Sequence, residues 1–212
     1  MKFIFYISIT LMRLYYNIVR IINPTISFRG KCCCNRLNIK SVKGSINNKI
    51  IFGKHVILKN CNIFFQGNNH TLSFGNNIKL ENVSFFFEKD NSNISVGDGT
   101  WIGEQSELSA FDNSDIIIGR GSIFAKGCIL RTSDSHIIMN DRNNIINKPE
   151  NIIIGSHVWI GLQTCVLKGS VIPDGCIVGA RSVVTSSMKS DEKSIIVGQP
   201  AKVIKKNISW EL

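Results

Sequence analysis

Four histidines stand in the chain, His55, His70, His136 and His157. Imidazole is the one side chain whose ordinary titration falls near neutral pH. His136 closes the stretch Arg131-Thr-Ser-Asp-Ser-His136, and a polar, Pro-containing segment follows at 138–151. A histidine at such a junction is reachable from solvent. It could act as a general base, taking the proton of a hydroxyl as that hydroxyl attacks a thioester, a role that supplies about 10²–10⁴-fold. It could equally do no more than hydrogen-bond the loop. His157 reads as a surface or interface residue, and His55 and His70 as structural ones. Of seven cysteines, Cys32, Cys33 and Cys34 are consecutive, a poor spacing for zinc and for a disulfide framework. Reduced, mostly buried thiols are the simplest reading, and none has the setting of a nucleophile.

The elements that must position these groups repeat. Four segments of 22 residues run without a gap at 50–71, 72–93, 94–115 and 116–137, each with an apolar residue and then Gly at its third and fourth positions (Phe52-Gly53, Phe74-Gly75, Val96-Gly97, Ile118-Gly119). A finer period of six is plainest later, in Ile154, Ile160, Val166, Ile172, Val178 and Val184. Four residues after each stand Val158, Thr164, Ser170, Cys176, Ser182 and Met188, mostly small. A period of six suits neither a helix nor a plain strand. It suits a coil of three short strands and three corners, about 18 residues per turn. The aliphatic residue then points into a prism and the small one fills a corner. Gly, Asn and Asp at the corners accept positive φ. A 22-residue turn is such a coil with a four-residue bulge at one corner, at GNNH, KDNS and DNSD. From Ile152 the turns shorten to 18 residues (152–169, 170–187), and 138–151 is a loop leaving the coil. The predicted organisation is an N-terminal helical, basic extension (1–49), a β-helix (50–206) with that loop, and a tail (207–212).

The tandem hexads resemble the hexapeptide-repeat acyltransferases, which fold as left-handed parallel β-helices. RTSDSH, the loop, the VWIG element around Trp159 and the closing VGQPAKVIK are similar to the O-acetyltransferase branch that includes galactoside, maltose and virginiamycin acetyltransferases. They resemble in particular the capsule and polysialic acid O-acetyltransferases, which carry a like Ser-Asp-Ser-His stretch. The resemblance implies an all-β, left-handed β-helix with His136 as general base and Trp159 lining the acetyl-thioester end of the site. It implies acetyl-CoA as co-substrate, no metal, and a homotrimer with the CoA groove between adjacent subunits. It places Gly161 and Leu162 beside the thioester, Ala180 along the pantetheine arm, and Thr185 and Ser186 near the phosphates, with Lys202 and Lys205 supplying charge. Ser186 stands where many relatives have Lys, and Lys202 and Lys205 where Arg is common, which loses bidentate geometry and keeps charge. Trp159 could instead cap a coil, and the lysines could be a solvated tail. Direct transfer is expected, with a backbone N–H near Gly161 at the oxyanion. Arg131 and Asp134 flank the site and could contact sugar hydroxyls or a carboxylate, or pair with each other.

Charge adds a clue to the acceptor. The net charge is +10, yet residues 1–80 hold 12 basic and no acidic residues, so the remainder carries −2. A basic half can face a polyanionic glycan or an anionic membrane; no recognised nucleic-acid-binding module stands in it. The N-terminal stretch to Ile22 is apolar but interrupted by Lys2, Arg13 and Arg20, too short a run to span a bilayer. It reads as a helix on a membrane surface or packed on protein, and a secretory signal is not expected. The expected function is acetyl transfer to a sugar hydroxyl of a capsular or surface polysaccharide, sialic or polysialic acid favoured, in the cytoplasm or at the inner membrane face. A neutral O-antigen sugar, a small molecule, an amino sugar and a non-catalytic scaffold are the alternatives. A zinc hydratase is disfavoured by the spacing of the histidines.

Overall fold

The computed structural model describes residues 26–211. Among them, strands assemble into three sheets of seven, nine and seven members, in which each strand pairs with its counterpart one coil on. The first face runs from Ile26–Arg29 through Asn48–Phe52, Thr71–Phe74, Asn93–Val96, Ile116–Ile118 and Ile152–Ile154 to Val171–Ile172. The second runs from Cys32–Asn35 through Ile177–Val178 to Ile195–Gly198 and Ala201–Lys205, and the third from Asn38–Ser41 to Val183–Val184. The result is a three-sided solenoid. Only its last pairing, Ile195–Gly198 with Ala201–Lys205, is antiparallel.

The register follows the repeat. Ile50, Leu72, Ile94 and Ile116 lie one above another at a 22-residue spacing, and Ile154 pairs with Ile172 at a spacing of 18. All six aliphatic residues of the six-period and all six of their small partners are buried. Among the described residues the coil is already formed from Ile26, before the boundary drawn at residue 50, so 26–49 form a turn of the coil and not an extension. No Gly-led hexad betrays this turn: Gly30 and Gly44 stand at its corners at positive φ, as do Arg36 and Asn47, but Gly30 follows Arg29 where the later coils have an apolar residue before the glycine. The three consecutive cysteines are part of its second-face strand and pair with Val56, Ile57 and Leu58. The predicted N-terminal helix falls on 1–25, outside the described residues.

Two local devices let coils stack. A Cβ on Gly119 would lie 2.5 Å from Gly155 C and Ser156 N of the next coil, so only glycine permits this approach. Elsewhere Asn takes the left-handed corner positions, as at Asn60, Asn77, Asn82 and Asn91, where its short amide side chain tolerates the conformation. The core changes along the axis. The wide 22-residue turns are filled by Phe65, Phe85, Phe87 and Phe124, all fully buried, with Phe65 and Phe87 stacked at 4.9 Å. The 18-residue turns hold Ile and Val.

The extra residues of the wide turns lie at the corner between the third and first faces. Inside it runs a buried polar column of Asn48, His70, Ser92, Ser114 and Thr132, which satisfies backbone groups left unpaired by the bulge. Asn48 accepts from His70 N (3.0 Å), and His70 Nδ1 accepts from Ser92 N (3.2 Å). Nε2 of the same ring is 2.9 Å from Lys89 O. Outside, Asn47, Asn69, Asn91 and Asn113 form an amide ladder with contacts of 3.2, 2.9 and 3.0 Å.

Desolvation lowers the pKa of His70, so the ring is neutral in the fold while an unfolded histidine titrates near ~6.5. Below that pH the unfolded chain binds the extra proton, and stability falls as pH falls toward the depressed folded value. The melting temperature should therefore drop between pH 8 and pH 5.5, by less in His70→Gln, a variant already less stable at pH 8. Equal pH slopes for both proteins in circular-dichroism melts would remove His70 as the cause.

Candidate functional site

The third-face strand Ile129–Arg131 ends at the bulged corner, and the chain leaves the solenoid there before returning as Ile152–Ile154. Thr132, top of the polar column, anchors the exit: its Oγ1 accepts from Phe111 N (2.9 Å) and Ser114 Oγ (2.7 Å). Glu150 N donates to Thr132 O at 3.0 Å and closes the neck. Within the loop, Met139 and Ile145 form an antiparallel bridge.

His136 is exposed and sits at this neck. Its N–H donates to Asp134 O at 2.8 Å. Asn147 bridges the two limbs: Nδ2 donates to His136 O (2.7 Å) and Asp134 Oδ2 (3.0 Å), and Oδ1 accepts from Ile138 N (2.7 Å). Lys168, from the corner one coil on, donates to Asp134 Oδ2 and, at 3.1 Å, to Asn147 O. The Lys168 ammonium, aided by Asn147, holds the Asp134 carboxyl below its usual range. Asp134 is therefore an ionised tie in a clamp around the histidine backbone. Arg131 does not pair with it; Arg131 Nη2 donates to Ser135 Oγ at 2.9 Å.

The His136 side chain borders a cavity of about 370 Å³, lined also by Lys89, Phe111, Asn113, Ser135 and Lys148. Lys89, Phe111 and Asn113 come from the two bulged corners beneath the loop. Neither Arg131 nor Asp134 is among its lining residues.

The other expected residues lie elsewhere. Trp159, 43% exposed, begins the second-face strand Trp159–Ile160, so it is on a different side of the prism from the His136 corner. Gly161, Leu162 and Ala180 cluster at the next corner, between the second and third faces. Gly161 N donates to Val178 O (2.7 Å), so this N–H serves the coil ladder and is not free for an oxyanion. A Cβ there would lie 2.5 Å from Ala180 N, which accounts for the glycine by stacking alone. Thr185 and Ser186 follow the third-face strand Val183–Val184, at the corner below Lys168; Thr185 Oγ1 and Ser187 Oγ are 2.8 Å apart. Lys202 and Lys205 are on the antiparallel strand that edges the second face. One chain thus brings His136 together with the loop and upstream corners, and Gly161 with Leu162 and Ala180, but not the two groups with each other.

Sequence reading missed Lys168, Asn147, Lys89 and Lys148. The corner motifs KDNS and DNSD were the available signal, since their stacking puts them under the loop. It also missed Trp210, whose ring stacks on His157 at 3.9 Å and whose Nε1 donates to His157 O at 3.1 Å. Burial pushes the Cys61 and Cys128 thiols up to about 11, which leaves them poor nucleophiles. Among the described residues no group of three or more His, Cys, Asp or Glu is placed to hold a metal ion.

No family model matches the chain. A 55-residue stretch, 26% of the chain, is 47% identical to the putative lipopolysaccharide biosynthesis O-acetyl transferase WbbJ of Escherichia coli K12, over 27% of that protein. A stretch of 87 residues, 41% of the chain, is 36% identical to the polysialic acid O-acetyltransferase of Escherichia coli O1:K1, over 28% of that protein. The chain thus spans little more than a quarter of the length of these curated relatives. The solved polySia-specific acetyltransferase NeuO superposes with a TM-score of 0.68 at 26% identity, covering 90% of this chain and 84% of that one. The architecture is that of the left-handed β-helix acetyltransferases. Over these stretches the chain is similar in sequence to proteins named as O-acetyltransferases, and it shares the fold of a solved acetyltransferase.

If Lys168 and Asp134 set the position of His136 for the acetyl transfer proposed below, Lys168→Met should lower kcat about tenfold to a hundredfold, the scale of a small misplacement of a reacting group. The KM for acetyl-CoA should change little, and Lys168→Arg should recover part of the rate. An unchanged kcat in Lys168→Met would show that the clamp does not serve the histidine.

Proposed function

We propose that this protein is an acetyl-CoA-dependent O-acetyltransferase acting on a sugar hydroxyl of a capsular or surface polysaccharide, with sialic or polysialic acid the favoured acceptor. The observation that carries the reading is His136, exposed at the rim of a cavity while its backbone is fixed by Asn147. An imidazole so placed can take the hydroxyl proton as the oxygen attacks the acetyl carbonyl carbon. The C–S bond of the thioester then breaks, and the departing CoA sulfur takes the proton back. The raised thiol pKa values support direct transfer without an acetyl-enzyme.

The donor side requires a second copy in this reading. Trp159, Gly161, Leu162 and Ala180 lie away from the His136 corner of their own chain, and a homotrimer would set them against the neighbour's His136. Lys202 and Lys205 would then meet the phosphates of CoA, assisted by Thr185 and Ser186. Similarity to polysialic acid enzymes supports the sialic acid acceptor. Similarity to a lipopolysaccharide O-acetyl transferase supports a second acceptor, a neutral O-antigen sugar. The use of acetyl-CoA fits a cytoplasmic site of action, with membrane contact through the N-terminal segment a further proposal.

The test is CoA release from acetyl-CoA across sialylated, neutral and amino-sugar glycans. His136→Ala should keep its melting temperature and lose about 10²–10⁴-fold in rate. Near wild-type turnover by that variant would sink the base assignment. In light scattering the wild type should run as a trimer, and a monomer that is fully active would refute the shared site.

A further inference from the structure

We propose that the cavity beside His136 selects an anionic sugar, with Lys148 and Lys89 meeting its negative charge. The inference rests on the reading of His136 as the base, and it transfers acceptor selectivity away from Arg131 and Asp134.

The two residues first expected to meet the acceptor are engaged elsewhere. Arg131 is turned to Ser135, and the Asp134 carboxylate is held by Lys168 and Asn147. The charges that do border the cavity are Lys89, Lys148 and Asp112. Asp112 lies 3.6 Å from Lys89, in a pair whose side chains are 54% and 35% exposed, so its field offsets one lysine only. Lys148 enters none of the ion pairs found among the described residues. The cavity therefore carries a surplus positive charge next to the base, contributed by an exposed side chain that a ligand can reach.

The cavity also has a surface suited to a sugar ring. Lys89 Nζ lies over the Phe111 ring, 5.1 Å from its centroid, so the cation–π contact holds this ammonium at the cavity wall. Asn113 ends the amide ladder at the cavity rim and offers polar atoms to ring hydroxyls. The shelf is rigid, because the polar column and the ladder tie each bulged corner to the next. A volume of about 370 Å³ is in the range of small-ligand sites. A carboxylate or a phosphate on the sugar would satisfy the same charge.

The experiment combines binding and turnover. Equilibrium binding of 3′-sialyllactose, of a glucuronate-containing oligosaccharide, of a phosphorylated sugar and of lactose is measured on wild type, Lys148→Gln, Lys89→Gln and Lys148→Arg. CoA release is followed with the same acceptors. Wild type should prefer an anionic acceptor over lactose, and Lys148→Gln should reduce that preference about tenfold, the scale of one charge-assisted hydrogen bond. Lys89→Gln should reduce it less, since Asp112 already offsets that charge, and Lys148→Arg should retain most of it. The KM for acetyl-CoA should not move. Sialyllactose and the phosphorylated sugar separate the two sources of charge. Equal binding of lactose and all anionic sugars, or equal loss on both in Lys148→Gln, overturns the inference. Lysine-dependent binding of an anionic sugar without acetyl transfer would instead leave the cavity assignment standing and remove the transferase reading.

Discussion

Every feature of this molecule is subject to one constraint: parallel coils must stay in hydrogen-bonding register over the length of the prism. Each strand pairs with the strand directly above and below it, so a corner of one coil is laid on the corner of the next. Only residues that admit close backbone approach or a left-handed turn can occupy those corners. That accounts for glycine at Gly119 and Gly161, and for the Asn-rich composition through the many Asn residues at positive φ. The same constraint makes the interior a stack of like residues, with phenylalanines over phenylalanines where the coil is wide and isoleucine or valine where it is narrow.

A coil can lengthen only if its extra backbone is satisfied, and the third-to-first corner shows how this is done. Asn48, His70, Ser92, Ser114 and Thr132 are buried one above another, each close enough to serve the bulge of its neighbour. The loop bearing His136 leaves from the end of this column. The wide turns thereby build the shelf beneath the candidate base, and the narrow turns after it need no such shelf. Length variation along the chain is in this sense part of the site.

The placement of the remaining residues divides the chemistry. His136, its clamp and its cavity belong to one corner; Gly161, Leu162 and Ala180 belong to another, and Trp159 to the face between the prism's first two corners. A solenoid has no means of folding one side onto another, since its sheets keep the faces apart. In the proposed transfer, joining acceptor and donor sides falls to assembly. Gly161 also shows that a residue matching a family motif can be explained by stacking alone.

The repeat, the three-strand coil, the bulged corner and the departing loop were legible in the sequence, because register makes each coil a near copy of the last and so writes the fold as a period. The turn at 26–49 was less plain, since its Gly30 follows Arg29 and the apolar–Gly pair that marks the later coils is missing. Site chemistry was legible only where it sat at a break in the period, as His136 does. The partners of that histidine were decided by the tertiary structure: Lys168 ties Asp134 from the following coil, Lys89 and Phe111 rise from preceding ones, and Asn147 reaches back across the loop. Arg131 and Asp134, neighbours in the sequence, were drawn to different partners. Sequence records what must recur at every coil, whereas contacts between corners depend on how far each bulge carries its side chains, which only the stacked coils decide.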